Sequence, residues 1–405
     1  MKPIRLIFAS AGLAAALSPP AQAVEFATDI RPLLEVNCVK CHGADKQKGD
    51  LRLDELGLAE KGGETGPALA KGDPAGSLLL KRISLAADHD DIMPPKGGPL
   101  KPAQIETLRQ WIADGATWPG GVTLRAKSAA DLEREKLFAA KPLKSIEVFP
   151  GKVTLETAAD SHTLVAMATY GDDSTRDITG DAVFRLAKPG IAELRGNQLL
   201  PSADGETQVH VSFGGHELVV PIKVIDAAKP RRVSFRLDVM PIFLRAGCNT
   251  GSCHGSARGQ DGFMLSLFGY DPDGDHHRIT RQLSTRRLNL ALASESLLIE
   301  KPTEAVPHTG GKQIDVGSPY YNTLVRWIED GAPNDPKDVV KPLNIEILPP
   351  KLLLEGDGAT QQMTVVARYS NGTDRDVTSL VVFQSNNDNS ATVSPEGTVT
   401  AKNRG

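Results

Sequence analysis

Ten residues of this chain return almost two hundred positions later, and that recurrence limits its folding more than any other feature. The segment YGDDSTRDIT at 170–179 is echoed by YSNGTDRDVT at 369–378, and KPL at 141–143 by KPL at 341–343. Copies at a near-constant offset mean a repeated module, so the 405 residues must fold as a series of units. Around each copy, apolar and polar residues alternate, as at 145–149, 163–168 and 208–213, with Gly, Asp and Pro between the runs. Period two with regular turn signals predicts β-sandwiches of the immunoglobulin-like kind, over 142–227 and 341–405. Arg176 and Asp177 inside the repeat read as a solvated hairpin. The second copy reaches Gly405 before its last strand is evident, as a fragment of a longer protein would.

A second pair of echoes lies outside the sandwiches. DIRP at 29–32 is matched by DVMP at 238–241, and LRQWIADGA at 108–116 by LVRWIEDGA at 324–332. These are helical signatures. Asp29 suits an N-cap, Pro32 the first turn, and Phe26, Ile30, Leu33 and Leu34 fall on one face. Pro102 starts a second helix whose apolar stripe is Ile105, Leu108, Trp111 and Ile112, and Gly115 stops it.

Between the helices of the first copy stands Cys38-Val39-Lys40-Cys41-His42. Two cysteines at this spacing reach the two vinyl groups of one porphyrin, and the next residue then lies beneath the ring where its imidazole meets iron. The C-x-x-C-H pattern therefore points to haem c, with zinc or a disulfide as the competing readings. Met93, in the proline-fixed loop MPPKGG at 93–98, is the expected second axial ligand, and His89 is its rival. The second copy carries Cys248 and Cys253 before His254, with four residues between the cysteines. Small residues and Gly251 let that longer loop fold back, while a Cys248–Cys253 disulfide is the alternative. Aligned on MPPKGG, VPHTGG at 306–311 offers His308 in place of the methionine. His276 and His277 follow a DPDGD stretch that lacks EF-hand spacing and reads as an acidic surface turn. The expected architecture is multidomain, with all-α cytochrome c-like domains at 24–125 and 231–335 alternating with the all-β sandwiches.

Charge and targeting fit that reading. Lys2, Arg5, an apolar run and Ala21-Gln22-Ala23 form an export signal over 1–23. No apolar stretch reaches the roughly 20 residues of a transmembrane span. A formal charge of −4 argues against a nucleic-acid surface. The expected location is the periplasm or the cell exterior, where haem attachment to C-x-x-C-H takes place.

On Cys38, Cys41, His42, Met93, the Cys248, Cys253, His254 variant and the repeated β modules, the chain resembles planctomycete-type cytochrome c proteins with bacterial immunoglobulin-like modules of group 2. The resemblance implies haem domains that carry electrons and a wider protein associated with polysaccharide breakdown. It implies spacing or adhesion for the sandwiches. No Ser-His-Asp set, phosphate loop or zinc-protease motif appears, so no catalytic constellation marks the chain as an enzyme. The first expectation is an exported electron carrier that meets redox partner proteins. The alternative is a cell-surface or carbohydrate-associated scaffold bound to polysaccharide, in which haem has a minor role.

Overall fold

A computed structural model describes residues 24–404 except 45, 120 and 121; the leader expected at 1–23 lies outside them. The chain forms two compact units, divided after Ala129.

In the first unit, the regular elements among the described residues are helices. A π-helical turn, Phe26–Ile30, runs directly into the α-helix Arg31–Asn37. Asp29 lies inside that turn and is not its cap: its carboxylate reaches back to accept from Glu25 N at 2.8 Å. The α-helix Pro102–Ala113 buries Leu108, Trp111 and Ile112. Phe26 joins them, with ring centroids 6.1 Å from Trp111 and 4.7 Å from Trp118. Gly115, at φ 96°, turns the chain after this helix, as only glycine does without strain. The turn brings Ala116 N to Trp111 O at 2.8 Å, and Trp111 Nε1 donates to Thr117 O at 3.1 Å.

At the start of the second unit runs the helix Ala129–Ala139, whose first residue closes the first unit and whose Phe138 packs 4.7 Å from the Tyr170 ring. Residues 142–227 follow as antiparallel sheets with one parallel pairing. Leu143–Phe149 pairs with Val165–Tyr170, which pairs with Thr175–Asp177. A four-stranded sheet runs in the order Val153–Glu156, His216–Ile225, Gly205–Phe213, Val183–Leu186. The two faces enclose Ile146, Val148, Leu155, Val209, Val211 and Ile222.

Residues 231–335 repeat the helical plan. The π turn Phe235–Val239 leads into Met240–Arg245, and Asp238 accepts from Ser234 N at 2.8 Å as Asp29 does from Glu25. The helix Pro319–Glu329 buries Leu324, Trp327 and Ile328. Its end copies the first: Gly331 has φ 88°, Ala332 N meets Trp327 O at 2.8 Å, and Trp327 Nε1 donates to Pro333 O at 3.0 Å. The DPDGD stretch departs from expectation. It opens the helix Pro272–Thr280, in which Asp271 caps the end and Asp275 is wholly buried, bound by Ser266 and Arg278. A buried carboxylate needs such donors, so Asp275 is structural, while Asp273 keeps the surface setting expected of the stretch.

The second sandwich keeps the register of the first. Ile146 opposes Ala168 and Ile345 opposes Ala367; both ladders shift next to the KPL echo. Ile146 and Val148 are buried, whereas Ile345 and Ile347 are 55% and 53% exposed. The repeated Arg-Asp pair is not a solvated hairpin. Asp177 accepts from Thr179 N at 2.8 Å and from Gln362 N of the other sandwich at 2.8 Å. Asp376 accepts from Thr378 N at 2.9 Å and from Thr163 N of the first sandwich at 2.9 Å. Each module thus lends the same aspartate to the same strand position of its copy. This is the reciprocity of an isologous contact. Arg176 is half-buried between Glu135 and Asp181.

Candidate metal centres

Cys38 caps the helix Arg31–Asn37, whose last turn fixes the direction of the chain into Cys41 and His42. His42 N donates to Cys38 O at 3.0 Å, and Leu53 N donates to His42 O at 2.7 Å. Gly43 allows this tight fold, because a Cβ there would lie 2.6 Å from Val39 O. The longer motif closes in the same way. His254 N donates to Cys248 O at 3.0 Å, and Leu265 N to His254 O at 2.8 Å. The two extra residues are absorbed in turns that place Cys253 N 3.0 Å from Thr250 O. Gly255 is even more constrained than Gly43, with Asn249 O 2.1 Å from where its Cβ would stand.

All four cysteines are unbridged. Burial, helped by the neighbouring cysteine in each case, pushes the Cys38 and Cys248 thiols up to about 12. A redox dithiol works through a thiolate with a lowered pKa, so this direction disfavours that reading of C-x-x-C. Among the described residues no group of three or more His, Cys, Asp or Glu side chains is arranged to hold a metal ion.

Burial lowers the His42 pKa, against upward pulls from the backbone of Lys48 and Leu51. The neutral imidazole is the ligand form. Its Nδ1 is buried without a hydrogen-bond partner among the described residues. Met93 packs, half-buried, against the core that holds Cys38 and Val39. His89 is exposed, and its Nδ1 accepts from Asp91 N at 3.0 Å within its own loop.

The second copy brings two histidines together. The His254 and His308 rings are nearly parallel, at 11°, with centroids 6.5 Å apart. His254 Nδ1 bonds Phe263 O at 3.0 Å and His308 Nδ1 bonds Gly311 O at 2.8 Å. With Nδ1 tied to a carbonyl, Nε2 is left as the coordinating nitrogen, the usual outer arrangement of a metal-bound histidine. Two metal–nitrogen bonds of about 2 Å, with about 1 Å from each ring centre to its nitrogen, span about 6 Å. The separation therefore suits one metal atom between the rings, and the donor set suits haem iron. Gly310 leaves room for this, since a Cβ there would come within 2.9 Å of the His308 ring. Burial lowers the His254 pKa, as do the charges of His308 and Arg287, while the backbone at Phe263 and the charge of Asp261 raise it.

His276 is engaged elsewhere. Its Nε2 bonds Ala332 O at 2.9 Å, and its ring stands edge-on to Phe235, 5.1 Å between centroids. His277 is exposed. Among the nearby residues that the sequence did not single out is Arg287, buried at 6% exposure, with its guanidinium 4.5 Å from the centre of the Phe263 ring. Nothing local in the sequence marks it, because RR at 286–287 reads as a surface pair.

Residues 38–97 match the family model described as Planctomycete cytochrome C, and residues 344–405 the bacterial Ig-like domain of group 2. The curated proteins contain no match. Among solved structures, domains 4 and 5 of the S-layer protein SbsC are similar at 15% identity, with a TM-score of 0.18, over 26% of this chain and 57% of that one. The chain thus spans little more than half of that structure. Domains 5 and 6 of the same protein give 12% identity and a TM-score of 0.24, over 65% of this chain and 85% of theirs. Scores this low describe local likeness and carry no further argument. Among the described residues no helix is long and apolar enough to cross a membrane. The chain combines a segment of the planctomycete cytochrome C type with a C-terminal Ig-like domain of bacterial group 2.

Proposed function

We propose that this chain is an exported electron carrier with two cytochrome c-like domains, each holding haem c. Cys38 and Cys41 would hold one haem by thioethers, with His42 and Met93 to ligate its iron. Cys248 and Cys253 would hold the other, with His254 and His308. When bound, haem supplies a one-electron ferric–ferrous couple. The chain's own residues do the rest. His42 and His254 stay neutral in their buried settings and so present a lone pair. Met93 and His308 would supply the second ligand to each haem, which suits a carrier that exchanges electrons with redox proteins.

The observation that carries the reading is the His254–His308 pair, nearly parallel at 11° and each tied by Nδ1 to a backbone carbonyl. A surface histidine does not need that arrangement. The test is a haem count on protein made with an intact haem-attachment pathway. Two haems per chain are expected, with His308→Ala turning one of them high-spin. A single haem, together with a Cys248–Cys253 disulfide, would overturn the second site. A cell-surface scaffold bound to polysaccharide is the other reading, and the reciprocal contact of the two sandwiches favours it for those modules. Colourless protein that retains sugar binding would support it.

A further inference from the structure

We infer that Arg287 is a buried electrostatic tuner of the second centre, holding its reduction potential above that of a bare bis-histidine site. The inference rests on haem being bound between His254 and His308.

Arg287 is 6% exposed, and among the described residues no carboxylate meets its charge: what acts on it is burial and the like charge of Arg286. Its guanidinium donates to backbone carbonyls instead: Nη1 to Arg278 O at 3.1 Å and to Gln282 O, and Nη2 to Gly262 O at 3.0 Å. Carbonyl dipoles satisfy its hydrogen bonds but leave its net charge uncompensated. A buried cation held this way imposes a positive potential on its surroundings.

What lies next to it is the proximal histidine. The guanidinium is 4.5 Å from the Phe263 ring centre, and that ring is 4.8 Å from the His254 ring centre. The cation is therefore no more than about 9 Å from the imidazole, inside the range at which buried charges interact strongly. Hydrogen bonds to successive carbonyls also connect the two. Phe263 O accepts from His254 Nδ1, and the preceding carbonyl, Gly262 O, accepts from Arg287. One short piece of backbone therefore links the charge to the ligand.

Reduction adds one electron and lowers the charge of the iron by one, with no proton required. A fixed positive charge nearby favours the reduced state. Asp261, exposed on the same loop, acts in the opposite sense on His254. The two residues form a natural pair of opposite controls, with Arg287 the better shielded from solvent.

The experiment is a spectroelectrochemical titration of the full haem-loaded chain, with the electrode as electron donor. Arg287→Gln should reduce the equilibrium constant for reduction of the second haem about tenfold, the size of one charge at about 10 Å in a protein interior. Arg287→Lys should restore most of it, and Asp261→Asn should move it the other way. The first haem should not shift. Arg287→Gln also removes three carbonyl contacts, so the surface variant Asp261→Asn keeps the test open if that protein fails to fold. A second haem whose potential is unmoved by either charge change would overturn the inference. If only one haem is present in the unaltered chain, the two-haem reading fails instead, and the haem count separates the two outcomes.

Discussion

The Cys38 thiol gives a direct handle on whether the first motif is a haem attachment site, because a thioether has no proton to lose. Burial, with a smaller contribution from Cys41, raises this thiol from 9.0 to about 12. The folded state holds the proton to higher pH than the unfolded chain does. Its contribution to stability is complete below pH 9, falls as pH rises, and is gone above 12. At pH 10.5 the unfolded thiol is 1.5 units above its pKa and the folded one still protonated, so the loss is about 2 kcal/mol at 1.36 kcal/mol per unit. Urea unfolding followed by tryptophan fluorescence, which reports Trp111 and Trp118 beside Phe26, can measure this at pH 8 and 10.5. Chain made without haem attachment should lose the full amount. Cys38→Ser in the same haem-free form should not show the Cys38 part of it, since serine does not ionise in this range; the part from Cys248, whose thiol is raised likewise, stays. Haem-loaded chain should not show the Cys38 part either, because the sulfur is then alkylated. Equal losses in the haem-free parent and Cys38→Ser would refute the argument and place the alkaline sensitivity in other groups.

Gly255→Ala should destabilise the second helical segment by about 1–3 kcal/mol or more, because the new methyl meets backbone at Asn249 and Thr250; a urea midpoint measures it, and Gly247→Ala, at φ 75° with open space, serves as a strain-only comparison. Asp376→Ala should cost about 1–3 kcal/mol by leaving Thr163 N and Thr378 N without their acceptor, with Asp177→Ala giving a matching loss through Gln362 N and Thr179 N. Met93→Ala should lower the reduction potential of the first haem and remove its iron–sulfur charge-transfer band, read by visible spectroscopy; both surviving unchanged would assign that ligand position to another residue.

The sequence made the helices with Trp111 and Trp327 legible because their apolar spacing, prolines and terminal glycines all agree. It misplaced the role of Asp29, since the same carboxylate that could cap a helix beginning at Ile30 instead reaches back to Glu25 N, and only the fold decides which way it turns. The strands carrying the repeat were readable by alternation, but Asp177 was not. Its partner Gln362 is distant in sequence, and an Asp beside an Arg in a polar hairpin looks the same whether or not another module covers it. Asp275 failed for a similar reason: three acids and a glycine suggest solvent, and only the fold brings Ser266 and Arg278 to the buried one. At the candidate centres, alignment of MPPKGG with VPHTGG singled out His308, which lies opposite His254. Arg287 had no such guide, because a buried cation is recognised by what surrounds it.

The reciprocal bonds between the sandwiches mean that a single surface recognises its own copy, so one module design serves both partners. Two such copies carried on one chain meet as an intramolecular event, at an effective concentration that does not fall on dilution. Pairing then survives even when the individual contacts weaken. The buried strand positions show the resulting freedom: His162 occupies one copy where Gln361 occupies the other, both almost completely enclosed. A reciprocal contact thus joins two halves that differ in what they bury.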